Sequence, residues 1–202
     1  NDELSSGSIL ISKNAEPMPK IGLISSHPFK KNNFDLYFGI SHASFKKNEI
    51  YTKAPMLHEK FIYLNHRKNQ NEFNIGIVHE AIWGGGTEEN GNFPYSFNDF
   101  LKVIISADGP LLEGDPHPNA LGNHLGIWDF SFIRKKDDKK LKIYYQHLFE
   151  DTSGLRFANR TDGLWGLEFY NYIRNTNILF EFLNNINQDR DPPYVNESYY
   201  NH

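Results

Sequence analysis

The chain of 202 residues contains no cysteine, which excludes disulfide bonds, thiolate catalysis and metal sites with cysteine ligands. It also lacks an excess of basic residues, because 21 Lys and Arg stand against 25 Asp and Glu. The formal net charge of −4 leaves no basic footprint, so we predict no nucleic-acid partner. No apolar run approaches the roughly 20 residues of a transmembrane helix, which excludes a helical membrane protein.

Aromatic residues are abundant, with 16 Phe and 11 Tyr, and this favours packed or membrane-belted strands over disorder. The clearest pattern is strict alternation in residues 34–41. Phe34, Leu36 and Phe38 fall on one face of a strand, whereas Asp35 and Tyr37 fall on the other. A period of two predicts a strand with one apolar and one polar face.

The same alternation predicts about eight strands in an antiparallel all-β unit. Turn-forming sequences separate them, including the charged segment 135–140 and the pair Asp162-Gly163. The remaining predicted strands cover residues 8–12, 57–66, 72–80, 125–134, 141–149, 164–171 and 177–183.

One short helix is predicted over residues 96–107. Ser96 and Asp99 have the spacing of a capping box, and Asp108-Gly109-Pro110 is a typical stop. Four apolar residues at helical spacing should pack against protein; they are Phe97, Phe100, Leu101 and Ile104.

Alternation does not determine which face lies inside. A soluble sandwich buries the apolar face, whereas a membrane barrel turns that face towards lipid and the polar face towards a wet lumen. Tryptophans near strand ends, at Trp83, Trp128 and Trp165, suit the aromatic girdle of a barrel.

Motifs for catalysis fail on spacing. The dipeptides His58-Glu59 and His79-Glu80 lack the second histidine of a zinc-protease helix. His79, His124 and His147 lie near strand ends, but nothing in their spacing requires a metal site. We therefore predict no metal and no cofactor.

The polar face suits binding better than chemistry. Tyr and Trp rings pack on sugar rings, while amide and carboxylate groups form hydrogen bonds with sugar hydroxyls. We predict that this face contacts glycan in a water-filled lumen, through Asp35, Tyr37, Asn74, Glu80, Asp129, Tyr144, Gln146, Glu168 and Tyr170. The opposite parity should contact lipid, through Phe34, Leu36, Phe38, Ile75, Trp128, Phe130, Trp165 and Phe169.

Six segments, in order along the chain, resemble the Wzi family of capsule-assembly outer-membrane proteins. They are SILISKNAEPMPK at 8–20, LHEK at 57–60, HEAIWGG at 79–85, GNHLG at 122–126, YYQHLFEDTSGL at 144–155 and DGLWGLE at 162–168. The resemblance implies an outer-membrane β-barrel of roughly 18 strands in a Gram-negative cell envelope. It also implies a non-catalytic role in binding or anchoring capsular or other surface polysaccharide.

The chain begins at Asn1 with no signal peptide, so we expect residues 1–202 to form a single barrel section that is incomplete at both ends. Two other functions remain open. One is a soluble β-sandwich glycan hydrolase or lyase that uses Glu80, Asp129 or Glu168. The other is a scaffold subunit that binds other proteins of the cell envelope.

Overall fold

A computed structural model describes residues 4–11, 17–110, 120–150, 155, 157, 159–174 and 176–186. Its elements are β1 (Lys20–Ile24), β2 (Phe29–Lys31), β3 (Phe34–Ser44), β4 (Tyr51–Lys53), β5 (Met56–Lys68), β6 (Asn71–Trp83), β7 (Gly86–Thr87), β8 (Gly91–Asn92), α1 (Phe97–Ile105), β9 (Asn123–Lys136), β10 (Lys139–Phe149), β11 (Gly163–Ile173) and β12 (Thr176–Asn184).

The long strands form one antiparallel sheet in the order β1-β3-β5-β6-β9-β10-β11-β12, with β2 also paired to β3. A second, three-stranded sheet contains β4, β7 and β8. The predicted all-β, antiparallel class with one short helix is confirmed. The predicted barrel closure is not seen: among the described residues the sheet is open, with β1 and β12 at its two edges.

Tight hairpins join the long strands at one end of the sheet. Asn32, Asn69 and Asp137 each have a positive φ, between 54° and 55°, in the turns before β3, β6 and β10. Asn and Asp tolerate this left-handed conformation better than most residues, which explains their presence there. We call this edge the turn end. The opposite edge, where β3, β6 and β10 end and β5, β9 and β11 begin, is the loop end.

The strand predictions were correct for residues 34–41, 57–66, 72–80, 125–134, 141–149, 164–171 and 177–183, and the observed strands extend a few residues further. The strand predicted for residues 8–12 was wrong, because residue 8 is irregular and residues 9–11 form bends, while residue 12 lies outside the described residues. β1 was missed because Gly22 interrupts its short apolar run, and β2, β4, β7 and β8 are too short to alternate.

The helix is capped as predicted. Ser96 and Asp99 form a reciprocal capping box, and the hydrogen bonds that Ser96 donates lower the pKa of the Asp99 carboxyl. The predicted packing stripe was partly wrong. Phe100 and Ile104 are partly buried, but Phe97 and Leu101 are exposed, and Val103 is the fully buried residue.

A small hydrophobic core explains this rotation of the helix. Val103 packs with Ala81, Trp83 and Leu121, and Phe100 lies beside the same cluster. Trp83 is therefore a core residue and not part of an aromatic girdle, which corrects the expectation for that position.

Most of the sheet is arranged in the opposite way to a water-soluble fold. Many side chains on the polar side of the strands are buried. In the half of the sheet nearer the turn end, the apolar side chains on the other side are exposed. The buried polar residues include Asp35, Ser41, Glu59, Asn65, Lys142, Gln146 and Glu168. The exposed apolar residues include Phe34, Phe38, Ile62, Leu64, Phe73, Ile75, Ile143, Trp165, Ile178, Phe180 and Phe182.

No helix in the described part of the chain is long and apolar enough to cross a membrane.

Candidate functional site: the polar face of the sheet

Strand register places all nine predicted site residues on one face, which we call the polar face. Asp35 and Tyr37 lie on β3, Asn74 and Glu80 on β6, and Asp129 on β9. The remaining members lie on β10 and β11; they are Tyr144, Gln146, Glu168 and Tyr170. Side chains two apart on a strand share a face, so this follows directly from the pairing.

A ladder of hydrogen-bonded side chains crosses the middle of the polar face. Asn65 on β5 donates to Asn74 on β6, and Asn74 donates to Ser131 on β9 at 3.0 Å. At the β3 end of the ladder, Arg67 holds the Asp35 carboxylate at 2.8 Å. These bonds satisfy polar groups that burial would otherwise destabilise.

Residues 4–11 lie across the polar face and are held there by the predicted site residue Gln146 and by Glu181, which was not predicted. Gln146 accepts a hydrogen bond from the backbone N–H of Ile9 at 3.1 Å. The Glu181 carboxylate accepts hydrogen bonds from the Ser5 hydroxyl at 2.9 Å and from Tyr144. The amino-terminal segment therefore covers part of the polar face, although it is far in sequence from the strands that it contacts.

A polar cavity of about 430 Å³ lies between this segment and the sheet. Its walls include four predicted site residues, together with one basic group; the lining is Ser5, Gly7, Ser8, Tyr63, Asn74, Asp129, Ser131, Lys142, Tyr144 and Gln146. Tyr63 donates to the Asp129 carboxylate at 3.3 Å. The cavity lining offers both hydrogen-bond donors and acceptors. Its volume lies within the 300–1,000 Å³ range typical of ligand pockets.

Glu168 lies beside the cavity in a buried ion pair. Its carboxylate is fully buried and lies 3.4 Å from the Lys142 ammonium group. Tyr170 donates to the same carboxylate, and the Lys140 ammonium lies 3.8 Å above the Tyr170 ring. These contacts give Glu168 and Tyr170 a role in holding β10 and β11 together. They are not among the residues that line the cavity.

Glu80 lies nearer the loop end and belongs to a different group. It is directly opposite Glu59, and burial together with the Glu59 charge raises the pKa of the Glu80 carboxyl to about 7. Glu59 is also bound by the Lys20 ammonium at 3.0 Å and by the Ser41 hydroxyl at 3.0 Å. Sequence reasoning missed Glu59, because the faces of residues 57–66 alternate less clearly than those of the other strands.

The carboxylates of the hydrolase alternative are not brought together as a pair. Glu80 is opposite Leu125, four positions from Asp129 on β9, which corresponds to about 13 Å along a strand. Glycoside hydrolases place their two carboxyl groups about 5–9.5 Å apart. Glu168 is held by Lys142. Glu59 and Glu80 are directly opposite on β5 and β6, but Glu59 is held by Lys20 and Ser41.

The three histidines considered as metal ligands do not converge. His79 and His124 are in contact, with His79 Nε2 and His124 Nδ1 at 2.9 Å. His147 lies elsewhere, beside Tyr145 and the carbonyl of Asp162. Within the described ranges, no group of three or more His or acidic side chains could hold a metal ion.

No curated protein and no solved structure is significantly similar to this chain. A family model, that of the capsule assembly protein Wzi, matches residues 5–202. The match extends over the whole of the sheet and the polar face described above. The chain therefore belongs to the Wzi family of capsule assembly proteins.

Proposed function

We propose that this protein forms a section of an outer-membrane β-barrel wall in a Gram-negative bacterium. Its apolar face contacts lipid, and its polar face lines a water-filled lumen. There it binds or anchors capsular or other surface polysaccharide without catalysing a reaction. Membership of the capsule assembly family supports this role.

The observation that carries the proposal is the inverted distribution of polarity. Burying several acids in a dry core is costly unless each has a partner, whereas a wet lumen removes much of that cost. A row of exposed Phe, Ile and Leu side chains is costly in water but favourable against lipid. Both features have one explanation if the apolar face is the lipid side.

Strand length agrees with this orientation. Seven of the nine strands in the main sheet contain 9 to 14 residues each, and the two shorter ones are β1 with five residues and β2 with three. A tilted transmembrane strand needs about 9–11 residues. The sheet is therefore long enough to cross a bilayer.

Aromatic side chains on the apolar face fit a membrane interface near the loop end. Trp165 and Tyr145 are stacked with ring centroids 4.1 Å apart. Trp165 Nε1 donates to Thr161 O at 3.2 Å, and the Tyr145 hydroxyl donates to Arg160 O at 2.8 Å. Each ring thus points a polar group towards the loops and an apolar body towards the strands, as in an aromatic belt.

The cavity is the part of the polar face best suited to a glycan. Asn74 and Gln146 offer amide donors and acceptors, Asp129 offers a carboxylate, and Tyr63 and Tyr144 offer rings as well as hydroxyls. Sugar hydroxyls both donate and accept hydrogen bonds, so a mixed lining of this kind complements them. Because Lys142 is also present, a glycan that carries carboxylate groups would gain a charge-assisted contact.

We predict that two cavity substitutions weaken glycan binding. Asp129→Asn and Gln146→Leu should each weaken retention of the host's surface polysaccharide by about tenfold, equivalent to about 1.4 kcal/mol. The measurement is binding of the purified polysaccharide to the detergent-solubilised full chain. Asp138→Asn is the matched control, since it makes the same change as Asp129→Asn at an exposed position in a hairpin turn, and it should bind as the wild type does.

The same assay separates the two alternatives from the proposal. A hydrolase or lyase would produce new reducing ends or unsaturated products, and we expect neither from the wild type. A scaffold subunit would co-purify stably with other envelope proteins and would bind no glycan. Unchanged binding in both cavity variants would show that glycan does not occupy the cavity.

A further inference from the structure

Helix α1 has more apolar surface than the sheet beneath it uses. Six of the nine residues in FNDFLKVII are apolar. At about 100° per residue these six occupy an arc of about 200°, while the polar residues Asn98, Asp99 and Lys102 fill the remainder. A helix that packs one stripe on a core needs an apolar arc of only about 100°.

The sheet covers one side of this arc. Val103 is fully buried against the core that contains Ala81, and the Phe100 ring lies 4.7 Å from the His42 ring and 5.6 Å from the Trp83 ring. His42 shares the parity of Phe38 on β3, and register puts Ala81 on the same parity of β6 as Ile77. The helix therefore lies on the apolar face.

The other side of the arc is exposed. Phe97, Leu101 and Ile105 are four residues apart, so they form one stripe along the helix. Their side chains are 74%, 45% and 73% exposed. A stripe of this kind, on a helix already anchored through its other side, is the surface that an interfacial helix presents to lipid.

The helix continues the exposed apolar belt of the strands towards the loop end. Ile40, Lys60 and His79 form the row of residues between that belt and the helix. The Lys60 ammonium donates to the carbonyl of Ile104 in the last turn of α1. A cation at this position complements the negative end of the helix dipole, so the contact fixes the helix against the sheet.

The helix also covers polar groups that would otherwise be on the lipid side. His42, His58, His79 and His124 share the apolar parity, and the His58 side chain is fully buried. Polar side chains facing hydrocarbon are costly, since lipid offers no hydrogen-bond partner. If one side of α1 covers these histidines and the other side contacts lipid, the lipid-facing surface stays apolar where the histidines lie.

We propose that α1 is a membrane-interfacial helix whose Phe97, Leu101 and Ile105 stripe inserts at the boundary between headgroups and acyl chains. The occupant is the lipid that surrounds the barrel wall. The inference rests on the proposed function, because it requires the apolar face of the sheet to contact lipid. Continuity with that face and the excess width of the apolar arc are the observations that carry it.

The absence of cysteine makes a direct test simple, because any introduced cysteine is the only label site. The full chain, as single-cysteine variants, is labelled with an environment-sensitive fluorophore and reconstituted into vesicles of phosphatidylethanolamine and phosphatidylglycerol. Lipid-borne doxyl quenchers are then added at a shallow or a deep acyl position. The variants are Leu101→Cys and Ile105→Cys on the exposed stripe, Asn98→Cys on the polar side of the helix, and Phe38→Cys on the sheet.

We expect at least about twofold stronger quenching at 101 and 105 than at 98, with the shallow quencher more effective than the deep one. The label at 38 should be quenched by both. Quenching at 38 without quenching at 101 or 105 would overturn the interfacial helix and leave the proposed function intact. No quenching at 38 would overturn the proposed function, and the inference with it.

Discussion

Phe38→Arg should impair assembly of the protein into membranes. Phe38 is an exposed residue partway along β3 on the apolar face, where its ring stacks on Phe29 with centroids 5.5 Å apart. An arginine near the bilayer midplane on the lipid face of a barrel costs about 2–4 kcal/mol. The measurement is the fraction of protein that sediments with the outer membrane and resists extraction by urea, and we expect a severalfold decrease.

Tyr37→Arg is the matched control, because it introduces the same charge at the adjacent position of the same strand. Tyr37 points to the polar face, so an arginine there meets polar side chains and water. Assembly should therefore stay near the wild-type level. If Tyr37→Arg fails to assemble and Phe38→Arg assembles normally, the parity is inverted and the protein is a soluble sandwich.

Lys142→Met should cause the largest loss of stability among single substitutions on the polar face. It leaves Glu168, whose side chain is fully buried, without the ammonium group that lies 3.4 Å away. Removing one partner of a buried ion pair costs about 3–5 kcal/mol, because the remaining charge keeps its desolvation penalty. Denaturant unfolding of the reconstituted protein measures this as a lower free energy of unfolding.

Two variants serve as comparisons for this result. Lys136→Met removes an exposed lysine next to a hairpin turn and should change the free energy of unfolding by less than about 1 kcal/mol. Adding Glu168→Gln to Lys142→Met should recover much of the loss, since the unpaired charge is then gone. A loss below about 1 kcal/mol in Lys142→Met would mean that water screens the pair effectively.

Strand positions and their two faces could be predicted from the sequence because both depend only on local alternation. Phe34, Phe38 and Ile75 were correctly assigned to one face, which is exposed. Asp35 and Gln146 were correctly assigned to the opposite face, where both are buried. Alternation alone could not predict which of the two faces is buried, since the strands of a sandwich and of a barrel have the same period of two. The answer became visible only once burial was known.

The remaining features depend on contacts between residues far apart in the chain. Glu181 holds Ser5 across 176 positions, and Gln146 holds Ile9 across 137. No local pattern indicates such pairs, so the segment that covers the polar face was predicted as a strand. The orientation of α1 has a similar cause, since Val103 packs with Ala81 and Leu121, which lie far from it in the chain.

The most direct test of the two-faced wall is a cysteine scan of residues 72–80 on β6. Single-cysteine variants of the full chain are labelled with a fluorophore in vesicles, and quenching by doxyl lipid is compared with quenching by iodide. Labels at 73, 75 and 77 should be quenched by lipid, while labels at 72, 74 and 78 should be quenched by iodide, because alternate residues point to opposite faces. The account is contradicted if the two sets exchange, or if lipid quenches neither.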